Sequence, residues 1–125
     1  QQDAAAELRQ ARDTLARYQE KLAEMQAYRD DYIRRFQEQG AGGIRAEAIR
    51  EFQAFLAKLD TTIEQLKGLV QGSEQQCEQK RQQWLHKRAR SRALDGVIDR
   101  YRDRERLEDR RREDRETDEH NNHRR

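Results

Sequence analysis

The chain has 125 residues, 42% charged, 33% hydrophobic and 6% aromatic, without a single proline. That length holds at most one ordinary domain, and the composition excludes a β-rich fold, which needs turn chemistry and β-branched runs. It also excludes a membrane-spanning helix, because no stretch approaches the roughly 20 apolar residues required. No signal-peptide pattern opens the chain, and Gln1 in place of an initiator Met marks an expected trimmed start. The one cysteine, Cys77, cannot form an internal disulfide, which predicts a reducing compartment. Abundant Glu, Gln, Arg and Ala without proline is the composition of long helices.

The first predicted element is a helix over residues 1–39. Its apolar residues follow a 3.5-residue period, with a and d positions at Leu8, Ala11, Leu15, Tyr18, Leu22, Met25, Arg29, Tyr32 and Phe36. Arg29 is the one polar break. A glycine-rich turn, GAGG at residues 40–43, comes next and predicts a left-handed C-cap and a tight reversal. The second helix is predicted over residues 44–101. Its a and d positions run from Ile49, Phe52, Leu56, Leu59, Ile63, Leu66 and Val70 through Ser73, Cys77, Lys80 and Trp84. They continue through Lys87 and Ser91 to Leu94, Ile98 and Tyr101. Gly68, Gly72 and Gly96 leave this register intact and are read as soft spots. Two long helices joined by four residues must lie antiparallel. The expected fold is all-α, an antiparallel two-helix coiled-coil hairpin.

Residues 102–125 close the chain with nine basic and nine acidic side chains. Their a and d positions become Glu105 and Glu108, so the apolar seam stops and a charged tail is expected, fraying from helix into a disordered HNNHRR end. Charge is uneven elsewhere. Seven basic and two acidic residues give residues 80–101 a local +5, against −1 for residues 1–39 and −2 for residues 44–79.

With this turn, facing residue numbers are expected to total roughly 81–85 across an antiparallel hairpin. Gln1 then faces the region from Lys80 to Trp84, and Leu94, Ile98 and Tyr101 lack a partner within the sequence.

The stretch AYRDDYIRRF, residues 27–36, concentrates aromatic residues in a polar chain. Tyr32 and Phe36 are seam positions. Tyr28 and Phe55 are g positions that should lie side by side outside the seam, where exposed aromatics mark partner sites.

YRDDY ahead of a short glycine turn, followed by EFQAFLAKLD opening a second long helix, resembles FliJ, a family of cytoplasmic components of the flagellar type III export apparatus. The resemblance covers about residues 5–100. It implies a stalk similar in shape to the central stalk of rotary ATPases, peripheral at the inner-membrane export apparatus. Implied partners are the hexameric export ATPase FliI, the export-gate protein FlhA and export chaperones. Family members begin with more residues, which implies an N-terminally shortened chain whose missing segment would face Trp84 to Tyr101. The FlhA-facing positions fall on Lys21, Met25, Tyr28, Tyr32, Phe55, Leu59, Thr62 and Leu66. Together with the +5 stretch, the resemblance places ATPase contacts at Arg88, Arg90, Arg92 and Arg100.

No catalytic motif is present, and no cofactor is expected. His86, His120 and His123 lack metal-ligand spacing, Cys77 reads as seam filling, and Asp30 and Asp31 read as solvent-facing. The basic stretch from Lys80 to Arg92 raises nucleic-acid binding as a competitor. Seam positions at Lys80, Trp84 and Lys87 leave few cations on one face, so an acidic protein partner fits better. A stalk of a related injectisome and a generic coiled-coil spacer stay open as alternatives.

Overall fold

The computed structural model describes residues 2–123. Helix α1 spans Gln2–Gln39, a single 3₁₀ turn covers Gly40–Gly42, and helix α2 spans Ala46–His123. The chain divides into two compact units, Gln1–Trp84 and Leu85–Arg125. The first is an antiparallel hairpin of α1 against the N-terminal part of α2. The second is the remaining, single-helix part of α2.

The heptad pattern dictates the hairpin. Every a and d position of α1 from Leu8 to Phe36 is buried or half-buried, and Ala4 extends the series by one turn. On α2 the same holds from Phe52 to Trp84. The deepest points are Ala4, Leu8, Leu59, Ile63 and Leu66. Interfacial side chains lie in one stripe per helix because a two-stranded packing has no second layer. Asp3 in the first turn of α1 and Glu47 in that of α2 suit the positive ends of the helix dipoles.

The turn differs from the simple left-handed cap that the glycines suggested. The chain tightens through Gly40–Gly42, and the Gly43 amide donates to the Gly40 carbonyl at 3.1 Å. The positive φ falls at Gly43, with φ 99° and ψ 146°, an extended region open essentially to glycine alone. A Cβ on Gly40 would meet Ile44 Cδ1 at 2.5 Å, so Ile44 folds back over that glycine. Ile44 is consequently part of the turn, and α2 begins at Ala46 where residue 44 was expected. The Arg45 carbonyl accepts the first helical bond, from the Ile49 amide at 3.1 Å.

The register overlaps the expected one and extends slightly beyond it. Contacts join residue 28 to 55, 32 to 52, 36 to 52, 29 to 60 and 7 to 80, so the paired numbers total 83 to 89. Helical side chains tilt toward their own N-terminus, so each contact is made by a residue about one position C-terminal of the closest backbone approach. Two such offsets raise the total by about two. The expectation for Gln1 falls outside the described residues.

In the second unit, Lys87, Leu94, Ile98 and Tyr101 are exposed and Ser91 is half-buried. The charged stretch expected to fray is helical through His123, carried by i,i+3 pairs such as Arg112 with Asp109 at 2.9 Å. Arg124 and Arg125, the end of the HNNHRR stretch, lie outside the described residues.

Gly68 and Gly72 are exposed within α2, and nothing lies within 4 Å of a Cβ added at either. Gly68→Ala and Gly72→Ala should each raise stability by up to about 1 kcal/mol. Gly43→Ala should lower it by about 1–3 kcal/mol, because alanine cannot adopt that backbone cheaply. Urea unfolding followed by circular dichroism reads both directions.

Candidate protein-binding site

Five aromatic rings form a continuous ladder across the hairpin near its turn. Phe36 stacks on Phe52 with centroids 3.8 Å apart, and Tyr32 stacks on Phe52 at 5.3 Å. Tyr32 also meets Phe55 at 4.7 Å in a tilted arrangement. Phe55 in turn contacts Tyr28 edge-on, with centroids 6.4 Å apart and planes at 70°. Edge-to-face contact aligns the positive ring edge with the negative ring face.

The ladder separates two roles. Tyr32, Phe36 and Phe52 are half-buried seam residues, whereas Tyr28 is 51% exposed at the open end. Tyr28 and Phe55 lie side by side, as their g positions require. Phe55 is not an outer residue in the same sense as Tyr28: it is half-buried and contacts a seam ring as well. The two-sided contact was missed in the sequence because heptad letters rank positions by angle, while a large ring at g bridges back toward d.

Heptad position also groups the eight residues that the sequence marked for the gate. Lys21, Tyr28, Phe55 and Thr62 occupy g positions, and Met25, Tyr32, Leu59 and Leu66 occupy d positions. The g and d positions are neighbours on the helix surface, so all eight lie along one flank of the hairpin. Lys21, Tyr28 and Thr62 are exposed, Met25, Tyr32 and Phe55 half-buried, and Leu59 and Leu66 buried beneath them. The Thr62 hydroxyl donates to the Lys58 carbonyl at 3.0 Å, which turns its methyl-bearing side chain back against its own helix.

The opposite flank is polar. Arg29, at a seam position, reaches out of the stripe and donates through Nε to Asp60 Oδ1 at 2.5 Å. That hydrogen bond raises the guanidinium pKa above its ordinary value, with desolvation opposing. A groove of about 480 Å³ opens beside the pair, lined by Gln26, Arg29, Asp30, Asp60, Ile63, Glu64 and Lys67. The partner of Arg29 was legible only once the register was known. Asp31 also departs from expectation: it is half-buried and holds both Arg34 and Arg35, the latter at 2.9 Å. The i+3 and i+4 spacings of those arginines carried that signal.

In the second unit Arg88, Arg90, Arg92 and Arg100 are exposed. They fall at e, g, b and c positions, spread around the helix and all outside its a/d stripe. Among the described residues, no three His, Cys, Asp or Glu side chains gather as a metal-binding group.

A family model described as "FliJ: Flagellar FliJ protein" matches residues 1–124. The chain belongs to the FliJ family. It is thus a component of the flagellar export apparatus, from a family that is structural and chaperone-like and not known for enzymatic activity. No curated protein and no solved structure matches it. Among the described residues, no helix is long and apolar enough to cross a membrane.

The ladder yields a stability contrast within this family member. Phe36→Ala should cost close to the lower end of about 3–5 kcal/mol, because the ring is stacked but not fully enclosed. Tyr28→Ala should cost less than about 1 kcal/mol, since one edge contact is lost from a largely hydrated side chain. Denaturant midpoints of the two variants, compared at equal helicity, check the contrast.

Proposed function

We propose that the chain acts as a central stalk in flagellar export, binding the FliI ATPase ring and coupling it to the FlhA gate while engaging export chaperones. The observation that carries this reading is the g/d flank of the hairpin. It presents an exposed aromatic residue over a packed apolar base, and family resemblance assigns the same flank to the gate. Partner sites concentrate binding energy in aromatic anchors of this kind, and the surrounding contacts mainly exclude water. Tyr28 is the anchor, and Phe55, Met25 and Tyr32 form the half-buried surface around it. Leu59 and Leu66 support that surface from within the seam.

The ATPase contact rests on Arg88, Arg90, Arg92 and Arg100. A helix carrying cations on several sides suits surroundings that enclose it, such as the acidic mouth of a ring. Exposed positive charge of this kind also speeds encounter with an acidic partner, more so at low salt. Two chemically different surfaces then serve two partners: an apolar one for the gate and a cationic one for the ATPase.

Separate variants test the two contacts. Tyr28→Ala should weaken FlhA binding by at least about 2 kcal/mol, roughly thirtyfold, while stimulation of FliI persists. Arg→Glu substitution at residues 88, 90, 92 and 100 together should abolish FliI stimulation and leave FlhA binding and helicity intact. FlhA binding unchanged by Tyr28→Ala removes the gate site from this flank. FliI stimulation unchanged by the quadruple variant removes the ATPase site from these arginines.

A further inference from the structure

The flank that carries Tyr28 and Phe55 does not end with them. These two g positions touch across the hairpin. Each heptad step along antiparallel helices then brings the next pair: Lys21 with Thr62, Thr14 with Leu69, and Glu7 with Gln76. The far end of this series is a recess of about 350 Å³, with Glu7 and Thr14 in one wall and Ser73 and Gln76 in the other. It opens there because the seam residues Ala11 and Ser73 are too small to fill the line between the helices. Between recess and ladder stands Leu69, 45% exposed. A lone exposed leucine is ordinary. This one repeats the aromatic anchor on the same flank, two heptads or about 21 Å along α2 from Phe55.

We propose that Leu69 and the recess extend the gate-binding flank, and that its occupant is an amphipathic helix of FlhA with an apolar face and acidic edges. The helix lies along the groove from Tyr28 to Gln76, and Leu69 is its second anchor. This proposal rests on the reading of the g/d flank as gate-facing. Spacing selects a helix. Successive levels of the groove lie about 10.5 Å apart, and a helix returns the same face to each of them. An extended strand covers that distance in about three residues, so it would turn opposite faces to successive levels. Charge selects the edges. Arg17, Lys21 and Lys58 are exposed beside the groove between ladder and recess, against Glu24 alone. Arg17 donates to the Thr14 hydroxyl at 3.3 Å, which holds its guanidinium on this flank. Rim cations of this kind steer an acidic partner and fix its register.

FlhA binding to variants of the full chain tests the extension. Leu69→Glu should weaken binding by about tenfold or more while helicity and FliI stimulation persist. Gln71→Glu places the same charge on an exposed residue of the opposite face and should leave binding unchanged. Arg17→Glu and Lys58→Glu should slow association and flatten its dependence on salt. In a Cys77→Ser chain, bound FlhA should slow thiol labelling of Thr62→Cys, Leu69→Cys and Gln76→Cys, and spare Gln71→Cys. If Tyr28→Ala weakens binding and Leu69→Glu does not, the extension is overturned and the gate site stops at the ladder. If neither variant weakens binding, the gate reading itself falls. Equal losses in Leu69→Glu and Gln71→Glu mark a response to net charge and remove Leu69 as an anchor. Labelling that FlhA slows at residue 71 as much as at residue 69 overturns a helix seated on one flank, and association indifferent to both rim variants overturns its acidic edges.

Discussion

Two helices that meet along a single line can hide only a narrow stripe of each, and this one constraint shapes the whole molecule. Burial falls on about one side chain per turn of each helix, so the interior is a row of contacts and never a volume. Among the described residues no large side chain is fully enclosed, and even seam rings such as Tyr32 and Phe36 retain some solvent exposure. Any residue larger than its seam position requires must therefore spread onto the surface. The aromatic ladder is that overflow. Three rings fill the seam near the turn, Phe55 bridges outward, and Tyr28 ends on the outside with half its surface wet. A thicker fold would have buried it.

The same constraint explains why the fold could be read from the sequence almost in full. A stripe one residue thick leaves a strict period, and the period names its members: from Leu8 to Phe36 and from Phe52 to Trp84 the predicted seam is the observed one. What periodicity does not encode is the offset between helices. The turn illustrates this, because GAGG announced a reversal without specifying which glycine would carry the unusual backbone. The fold placed it at Gly43 and drew Ile44 into the bend, moving the start of α2 to Ala46. Side-chain tilt then carried contacts such as Phe36 with Phe52 and Arg29 with Asp60 beyond the expected totals, by a small amount that no heptad letter contains.

The site was legible to a lesser degree, and for a related reason. Tyr28 and Phe55 stood out because aromatics at g positions are excess to a two-stranded seam. Arg29 stood out only as a break in the pattern, since its partner depends on the register. Asp60 answers it from the far helix, and the pair costs the seam one apolar contact. A polar residue at a seam position typically trades stability for a unique alignment. With Asp60 in reach only near the observed register, Arg29 disfavours a hairpin slipped by a heptad, in which Gln53 or Lys67 would replace its acidic partner. The alignment of the aromatic ladder depends on the same register, so the polar flank holds the apolar flank in place.

Beyond Trp84 the heptad persists while cover does not, and the chemistry of the exposed stretch changes accordingly. In the hairpin, flanking charges are interspersed and local, as with Asp31 holding Arg34 and Arg35. Between Lys80 and Tyr101 they become predominantly positive, and only after the apolar stripe do acidic residues occupy seam positions, at Glu105 and Glu108. A stripe intended merely to be solvated would not keep leucine, valine, isoleucine and tyrosine at contiguous positions, given that each exposed apolar side chain forgoes about 1.5–3 kcal/mol of burial.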